Sequence, residues 1–419
     1  MLTDLINGAL GDGFTTLGAI LPYLLPIVLA GIAWKSWLGY IRTQHIRGLK
    51  WKLLHIRIPQ DIFKSPAAME IFLSNALYQS GGMAEWHKKY WFGNVPVWFS
   101  LEIVSIEGRL YFFIYAQERF RPLIEAQLYA QFPGVEVVES EDYTDMIPPY
   151  NKSADWNLFG SEFVLTKDDP YPIKTYVDFG LDRTSGVEEE EKIDPIAPTI
   201  EYMGSLGVGE QMWLQIIVQA AHWPRYNDPE HWYKKRKWQD VGKEIIKKLK
   251  VDQQKPLEGT TSPSRPTKGE QDIIAAIERS ITKYGFDSGI RAIYLAHKDM
   301  FKAIHITGLL GLFRQFNSGN MNGFKPVNTT SFDYPWQDFS GNRAAKLKAE
   351  MLEAYRARGY FHGPGSSDRV AGNKVERKPF VLTTEELATI FHFPGRAQET
   401  PTFKRIESKK SEPPSNLPM

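Results

Sequence analysis

The stretch VWFSLEIVSIEGRLYFFIYA, residues 97–116, decides the fold class of this 419-residue chain. Two runs rich in β-branched and aromatic residues, Val97–Ile106 and Leu110–Ala116, flank the triplet Glu107–Arg109. Such runs are typical of β-strands, and a short connection that contains glycine predicts a hairpin between them. We therefore expect an antiparallel β-hairpin in the first third of the chain.

Elements on both sides of the hairpin complete a known supersecondary order. A helix opened by Ser65 and Pro66 is predicted between the hairpin and an earlier alternating strand. The predicted elements are strand Leu53–Pro59, helix Ser65–Gly81, the hairpin, helix Arg119–Phe132 and strand Val135–Ser140. The order β-α-β-β-α-β is that of the split βαβ, or ferredoxin-like, unit. We assign this first ferredoxin-like domain to residues 51–150.

A second ferredoxin-like domain is predicted over residues 151–335, which makes the fold class α+β. It repeats the same order around a basic insertion at residues 221–268. Its predicted elements are strand Ser161–Asp169 paired with Ile173–Phe179, a helix from Asp194 to Leu206, strand Gln211–Ala220, helix Glu270–Lys283, strand Ile290–Ala296, helix Met300–Phe316 and a closing strand in Val327–Asp333.

The N-terminal region, residues 1–50, is predicted to be a membrane anchor with its juxtamembrane segment. Residues 13–34 contain no charge, and at about 1.5 Å per residue they match the roughly 30 Å of a bilayer core. Trp34, Trp37 and Tyr40 follow as an interfacial aromatic belt. The sequence therefore predicts a single transmembrane helix.

Charges around this helix predict its orientation. Two aspartates precede the apolar run, whereas five cations follow it: Lys35, Arg42, Arg47, Lys50 and Lys52. The positive-inside rule then places the N-terminus outside the inner (cytoplasmic) membrane and the body in the cytoplasm. The alternatives are a cleaved signal peptide, whose start is normally basic rather than acidic, and a buried helix of a soluble protein.

The composition argues against several kinds of site. The net charge of +1 gives no overall attraction to nucleic acid, and the absence of cysteine removes disulfides, thiolate metal sites and cysteine nucleophiles. Neither the GxxxxGK[ST] motif of a phosphate-binding loop nor the HExxH motif of a zinc site occurs. We therefore predict no catalytic residue, no cofactor and no metal, and hence a protein that is not an enzyme.

Basic residues are concentrated in Tyr233–Lys250, which is predicted to be an amphipathic helix with a start signal at Asp228-Pro229. Three interpretations remain open: a solvated helix face, a surface for anionic lipid, or a surface for single-stranded nucleic acid, since aromatic residues interleave with the cations. The candidate surface consists of Lys234, Lys235, Arg236, Lys237, Trp238, Lys243, Lys247 and Lys248. The stretch after it, Val251–Lys268, has the composition of a flexible linker.

The C-terminal part comprises a helical segment, residues 336–395, and a Pro-rich basic tail, residues 396–419. The stretch FVLTTEELATIFHFPG, residues 380–395, predicts a strand followed by a short helix with a capping box. An apolar stripe on this helix forms a candidate partner-docking surface: Leu387, Ile390, Phe391 and Phe393. A helix this short is marginal alone in water, so the stripe packs either on the chain's own domains or on a partner, and the tail is offered to that partner.

Several segments together resemble a known family. LTTEELATIFHFPG, followed by TP, ESKK and PPSNLP, is similar to a sequence pattern of membrane-anchored type IV secretion and conjugation proteins of small-genome bacteria. In that family the pattern joins a membrane-attached α/β region to a coupling-type ATPase domain. KSPAAMEIFLSNAL, SLEIVSIEGRLYFFI and IEAQLYAQFPGVEVVESEDYT resemble the family's first α/β unit, and KIDPIAP with GEQMWLQIIVQ resembles its second.

The resemblance implies a function without ATP hydrolysis, because this chain carries no ATPase domain after the pattern. We expect a membrane-anchored scaffold or adaptor of a secretion, conjugation or pilus-like machine. Its expected partners are a separately encoded ATPase subunit and further copies in an oligomeric assembly. The alternative is a membrane-tethered factor that binds single-stranded DNA through the basic segment.

Overall fold

The structure, a computed structural model, describes residues 2–59, 64–79, 86–182, 194–254, 267–332, 334–362 and 378–394. The chain divides into two compact units. The first comprises Met1–Leu49 and Gly82–Val95, and the second comprises Lys50–Gly81 and Pro96–Met419. The second predicted α/β domain, residues 151–335, therefore falls within the second unit, whereas the first, residues 51–150, gives up Gly82–Val95 to the first unit.

The first unit is built on one long helix, α1, at Leu2–Arg47, with the short helix α3 at Trp86–Tyr90. Helix α1 continues through Pro22 and Pro26. Its portion from Pro22 to Arg47 contains an 18-residue window with a mean hydropathy of 1.5 and is long and apolar enough to cross a membrane. The predicted apolar N-terminal helix is thus present.

The second unit contains the strands and the remaining helices. The strands are β1 (Trp51–Arg57), β2 (Trp98–Ile106), β3 (Arg109–Gln117), β4 (Glu136–Ser140), β5 (Trp156–Leu165), β6 (Glu210–Ala220), β7 (Tyr226–Asn227), β8 (Lys235–Arg236), β9 (Gly285–His297), β10 (Phe324–Val327) and β11 (Phe380–Thr383). The helices are α2 (Pro66–Phe72, continued by a π-helical turn at Leu73–Leu77), α4 (Arg121–Gln131), α5 (Ala197–Gly204), α6 (Trp238–Gln254), α7 (Lys268–Ile281), α8 (Ile304–Gly311), α9 (Asn342–Arg356) and α10 (Thr384–Ile390).

In the described part of the chain, a nine-stranded antiparallel sheet runs through the second unit. Its strand order is β10-β5-β9-β6-β2-β3-β1-β4, and β11 pairs with the first residues of β9. The two halves of this order correspond, because β4-β1-β3-β2 and β10-β5-β9-β6 each arrange their own strands as 4-1-3-2. Pairing of β2 with β6, from Trp98↔Gln219 to Ile106↔Gln211, joins the halves. Residues 51–150 and 151–335 therefore share one sheet.

The predicted hairpin is confirmed as β2 and β3. Its loop is two residues long, because Arg109 already pairs with Ile106. Glu107 and Gly108 have φ angles of 53° and 79°, the left-handed conformation that a two-residue hairpin turn requires. A Cβ on Gly108 would also lie 2.7 Å from the carbonyl oxygen of Leu206.

Three predictions in the second half need correction. Ile173–Phe179 forms a turn rather than a strand. The Thr175 amide donates to the Asp178 carboxylate (2.8 Å), and the Asp178 amide donates to the Thr175 carbonyl, so the two residues close the turn. Helix α8 ends at Gly311, well before Phe316. The closing strand β10 precedes the predicted position.

Both faces of the sheet are covered by apolar packing. Five helices, α2, α4, α5, α8 and α10, contribute to the larger core through Phe72, Leu128, Met203, Leu309 and Leu387. On the other face α9 contributes Met351, Leu352 and Tyr355 to a smaller core around Trp213. The alternation of buried side chains along each strand explains why one sheet serves two cores.

A buried polar row crosses the sheet on the α9 face. Glu102, Gln215, Arg291 and Glu162 are register neighbours on β2, β6, β9 and β5. Arg291 donates to Glu162 Oε1 (3.0 Å), and Gln215 donates to Glu102 Oε1 (3.1 Å). Arg291 also donates to the Gly359 carbonyl (2.9 Å), so the row holds the chain where it leaves α9.

Candidate functional site

The basic segment forms a hairpin followed by a helix. Strand β7 pairs with β8 through Tyr226↔Arg236 and Asn227↔Lys235, so Lys234–Lys237 precede the helix instead of opening it. The predicted helix start at Asp228 is wrong, because its carboxylate accepts the Glu230 amide (2.9 Å) and closes a turn. The eight predicted residues are thus divided between two elements.

Trp238 does not belong to the candidate surface. Its side chain is 2% exposed and packs with Ala221 and Val381. A Cβ on Gly285 would lie 2.7 Å from the indole nitrogen, so the strand backbone closes over the ring. The exposed aromatic side chains are instead Trp232 (90%) and Tyr233 (63%), in the loop between β7 and β8.

Acidic neighbours pair with several of the predicted cations. Glu244 contacts Arg236 (2.6 Å) and Lys248 (2.8 Å), and Asp240 lies 3.7 Å from Lys243. Lys247 is exposed on α6, whose other face packs on α7 through Ile246, Ile274 and Ile277. Helix α6 therefore packs its apolar face on α7 and exposes a face on which several cations have acidic partners, and the hairpin loop carries the exposed aromatic side chains.

The predicted strand, capping box and helix at the C-terminal end are present. Thr383 Oγ1 accepts the Glu386 amide (3.3 Å), and the Glu386 carboxylate accepts the Thr383 amide (2.8 Å). The four side chains of the candidate partner-docking surface are all buried: Leu387, Ile390, Phe391 and Phe393. Phe393 packs edge-on against Phe132, with ring centroids 4.8 Å apart.

This burial corrects the proposed docking role of the stripe. The side chains fill the larger core of the second unit, so they are not available to a partner, and the helix packs on the chain's own sheet and helices. A buried apolar helix face stabilises the unit that contains it. The tail predicted to reach a partner, residues 396–419, lies outside the described residues.

Glu386 is an ionisable group within this buried helix. Burial raises its pKa to about 7, although amide donors at Thr383 and Ile173 favour the charged form. In the unfolded chain the carboxyl ionises near pH 4.5. The folded state therefore holds a proton between these two values that the unfolded state releases.

We expect this proton to make stability depend on pH. Its contribution is present below about pH 4.5 and is lost as the pH rises towards 7. Relative to Glu386→Gln, whose amide does not titrate, the wild-type chain should lose about 3 kcal/mol of unfolding free energy across this window. Urea unfolding of both chains at the two ends of the window measures the difference. Glu353→Gln, exposed on α9, is the control, and equal pH profiles for wild type and Glu386→Gln would contradict the expectation.

A polar network that the sequence did not predict links β6, α5 and α8. Glu210 is buried at the start of β6, and its carboxylate accepts Tyr294 Oη (2.8 Å) and Lys302 Nζ (3.1 Å). His305 Nε2 lies 3.3 Å from Glu210 Oε1, while Tyr202 Oη lies 2.8 Å from His305 Nδ1. A neutral histidine that carries its proton on Nε2, facing Glu210, has an unprotonated Nδ1, which accepts the hydrogen bond from the Tyr202 hydroxyl.

The electrostatics of the network hold the imidazole neutral. Burial lowers the pKa of His305, against the effect of Glu210, and burial raises the pKa of Tyr202. Burial also acts to raise the pKa of Glu210, but donors from Gly207, Tyr294 and Lys302 hold it below its ordinary value. The network thus orients a neutral histidine and a protonated tyrosine.

Tyr202 also lines a surface groove of about 350 Å³ between α5 and α8. The groove is mainly apolar, with Thr307, Arg314 and Gln315 at its polar positions. A Cβ on Gly308 would lie 1.9 Å from the Tyr202 hydroxyl, so a side chain there would displace the ring. The groove therefore places the fixed hydroxyl of Tyr202 beside apolar walls. Its residues come from distant segments, and no sequence spacing points to it.

The fold and these surfaces define a class of protein: an antiparallel α/β sheet in a chain that begins with a long apolar helix. The chain belongs to the family described as a domain of unknown function, DUF8128, whose sequence model matches residues 81–405. None of the curated proteins matches the chain.

Proposed function

We propose that the chain is a non-enzymatic, membrane-anchored scaffold or adaptor of a type IV secretion, conjugation or pilus-like machine. The observation that carries this proposal is the combination, in one chain, of a helix able to cross a bilayer with a large α/β unit. A tether of this kind raises the effective concentration of the α/β unit at a membrane. The unit presents binding surfaces to a separately encoded ATPase, as the sequence resemblance suggests.

Two ferredoxin-like units, fused edge to edge, are part of this proposal. The 4-1-3-2 strand order in each half supports it, since that order is the one a split βαβ unit adopts. Fusion through β2 and β6 leaves fewer open strand edges than two separate sheets would. A sheet covered on both faces is a rigid platform, which suits a component that holds partners in place.

The proposed orientation rests on the charges that follow the apolar run within α1. With Lys35, Arg42 and Arg47 on the cytoplasmic side, the second unit lies in the cytoplasm and the N-terminus lies outside. A cytoplasmic ATPase would then be accessible to the α/β unit. The inner membrane is the proposed location.

Crosslinking followed by affinity purification from membranes tests the scaffold role. We expect an ATPase with a phosphate-binding loop to be enriched with the full chain. A matched chain that lacks residues 2–47 should lose most of this enrichment, because the tether no longer concentrates the unit at the membrane. Recovery of the full chain with no such ATPase, at a crosslinking yield that captures self-contacts, would refute the role.

Binding of single-stranded DNA is the second candidate function. The observation that favours it is the loop between β7 and β8, which exposes Trp232 and Tyr233 beside Lys234 and Lys235. Aromatic rings stack on bases, and neighbouring cations contact phosphates. In this arrangement the hairpin loop, rather than α6, is the binding element.

We expect the combined variant Trp232→Ala, Tyr233→Ala, Lys234→Gln and Lys235→Gln to weaken oligonucleotide binding at least about tenfold, because a base stack contributes about 1–3 kcal/mol. Thermal stability should stay nearly unchanged, since the loop side chains are exposed. Fluorescence anisotropy at several salt concentrations measures the affinity. The control variant is Phe339→Ala, an exposed aromatic residue elsewhere, and absence of binding by the wild-type chain would eliminate this candidate.

A further inference from the structure

The short helix α3 and the residues after it expose three large aromatic side chains. Trp86 is 74% exposed, Trp91 is 67% exposed and Phe92 is 61% exposed. They lie in the sequence WHKKYWF, in which apolar and polar residues do not alternate as they would in an element with one face in a core. Large apolar side chains that are exposed together in this way mark a surface that a membrane or another molecule covers.

This segment is fixed against α1 within the first unit. Tyr90 contacts Trp34 and Trp91 contacts Trp37, with ring centroids 5.9 and 6.5 Å apart. Gly93 has a φ of 68°, and a Cβ there would lie 2.5 Å from the carbonyl of Ile41. The backbone of the segment therefore approaches the backbone of α1 closely, and the aromatic side chains are held at one level of the helix.

That level is where the apolar run of α1 ends. The residues from Tyr23 to Ile32 expose apolar side chains, whereas Trp34, Trp37 and Tyr40 are exposed aromatics. From residue 34 to residue 40 the helix rises about 9 Å, which is comparable to the interfacial layer on one side of a bilayer. Tryptophan and tyrosine concentrate in that layer because their rings are apolar and their N–H or O–H groups are polar.

The charges of the segment suit the same location. Lys88 and Lys89 lie between Trp86 and Trp91, and Lys89 Nζ is 5.2 Å from the Tyr90 ring centroid. Lysine side chains extend their ammonium groups towards lipid phosphates while their methylene chains cover apolar surface. The cytoplasmic leaflet carries anionic lipid, which attracts such cations.

We propose that residues 86–93 are a second lipid-contacting element, which lies in the interfacial layer and fixes the depth of α1 in the membrane. The lipid headgroup region covers the exposed aromatic side chains, because they are continuous with the end of the apolar run of α1. This inference rests on the membrane anchoring proposed above. It adds a function to a segment that contributes to neither core of the second unit.

Depth-dependent fluorescence quenching tests the element in the full chain reconstituted into liposomes that contain anionic lipid. The natural sequence has no cysteine, so one introduced cysteine takes one environment-sensitive label. The labelled variants are Trp86→Cys and Phe92→Cys, which are more exposed than the packed ring of Tyr90. Leu29→Cys serves as a marker within α1, and Trp336→Cys serves as an exposed aromatic control in the second unit.

We expect the labels at residues 86 and 92 to be quenched about twofold more by a nitroxide near the glycerol level than by one near the bilayer centre. The label at residue 29 should show the reverse order, and the label at residue 336 should respond only to an aqueous quencher. If residue 29 shows no lipid quenching, the anchoring proposal itself fails. If residue 29 is quenched but residues 86 and 92 respond to the aqueous quencher alone, or to neither, the interfacial element is refuted while the anchor stands.

Discussion

Replacing Arg358 by methionine is expected to lower the free energy of unfolding by about 3–5 kcal/mol, because it leaves a buried carboxylate without its cation. Arg358 is 1% exposed and donates to Glu102 Oε1 (2.8 Å) and to Asp142 Oδ2 (2.6 Å). Its guanidinium carbon also lies 4.2 Å from the centroid of the Tyr115 ring. Methionine keeps part of the volume but none of these hydrogen bonds.

A double variant separates the ion pair from simple packing. Glu102→Gln combined with Arg358→Met removes the unpaired charge, so we expect it to recover part of the loss. Urea unfolding of the detergent-solubilised full chain, followed by circular dichroism, measures both. Arg57→Met, at an exposed position of β1, should change stability by less than about 0.5 kcal/mol. A loss at Arg358 as small as that of this control would contradict the structural role.

Replacing Phe391 by alanine should cost about 3–5 kcal/mol, because it empties a buried site in the larger core. Phe391 is fully buried, and its ring packs at 70° to that of Phe112 with centroids 6.0 Å apart. Thermal unfolding of the full chain measures the loss. Phe339→Ala is the matched control, since that side chain is 88% exposed.

The same variant distinguishes the two roles considered for the apolar stripe. A partner-docking surface would lose binding on Phe391→Ala while the chain kept its stability. The buried position of Phe391 predicts the opposite result, in which the variant loses stability before any loss of binding. Unchanged unfolding temperature in Phe391→Ala would restore the docking role and remove the helix from the core.

The elements with local signals could be predicted from the sequence. The hairpin at Val97–Ala116 carries its turn and both strands in one continuous stretch, and the capping box at Thr383 and Glu386 needs only four residues. Both correspond closely to the structure. The succession of strands and helices over residues 51–140 could also be predicted, because each element has its own periodic run of apolar residues.

Features that depend on distant residues could not be predicted in this way. Trp238 looks like part of a basic, aromatic surface until Gly285 and Val381 are seen to enclose its ring. Tyr202, His305 and Glu210 meet only because α5 and α8 both pack near the start of β6. Sequence spacing records neither arrangement, since tertiary packing rather than local preference creates them.

Protease protection tests our proposal that α1 crosses a membrane and leaves the α/β unit in the cytoplasm. Protease is added outside intact bacterial spheroplasts that express the full chain, and an antibody detects the second unit. We expect this unit to survive until the membrane is permeabilised, and we expect that alkaline carbonate does not extract the chain from membranes. Digestion of the second unit in intact spheroplasts would overturn the proposed orientation, and release of the chain by carbonate would overturn the proposed transmembrane anchor.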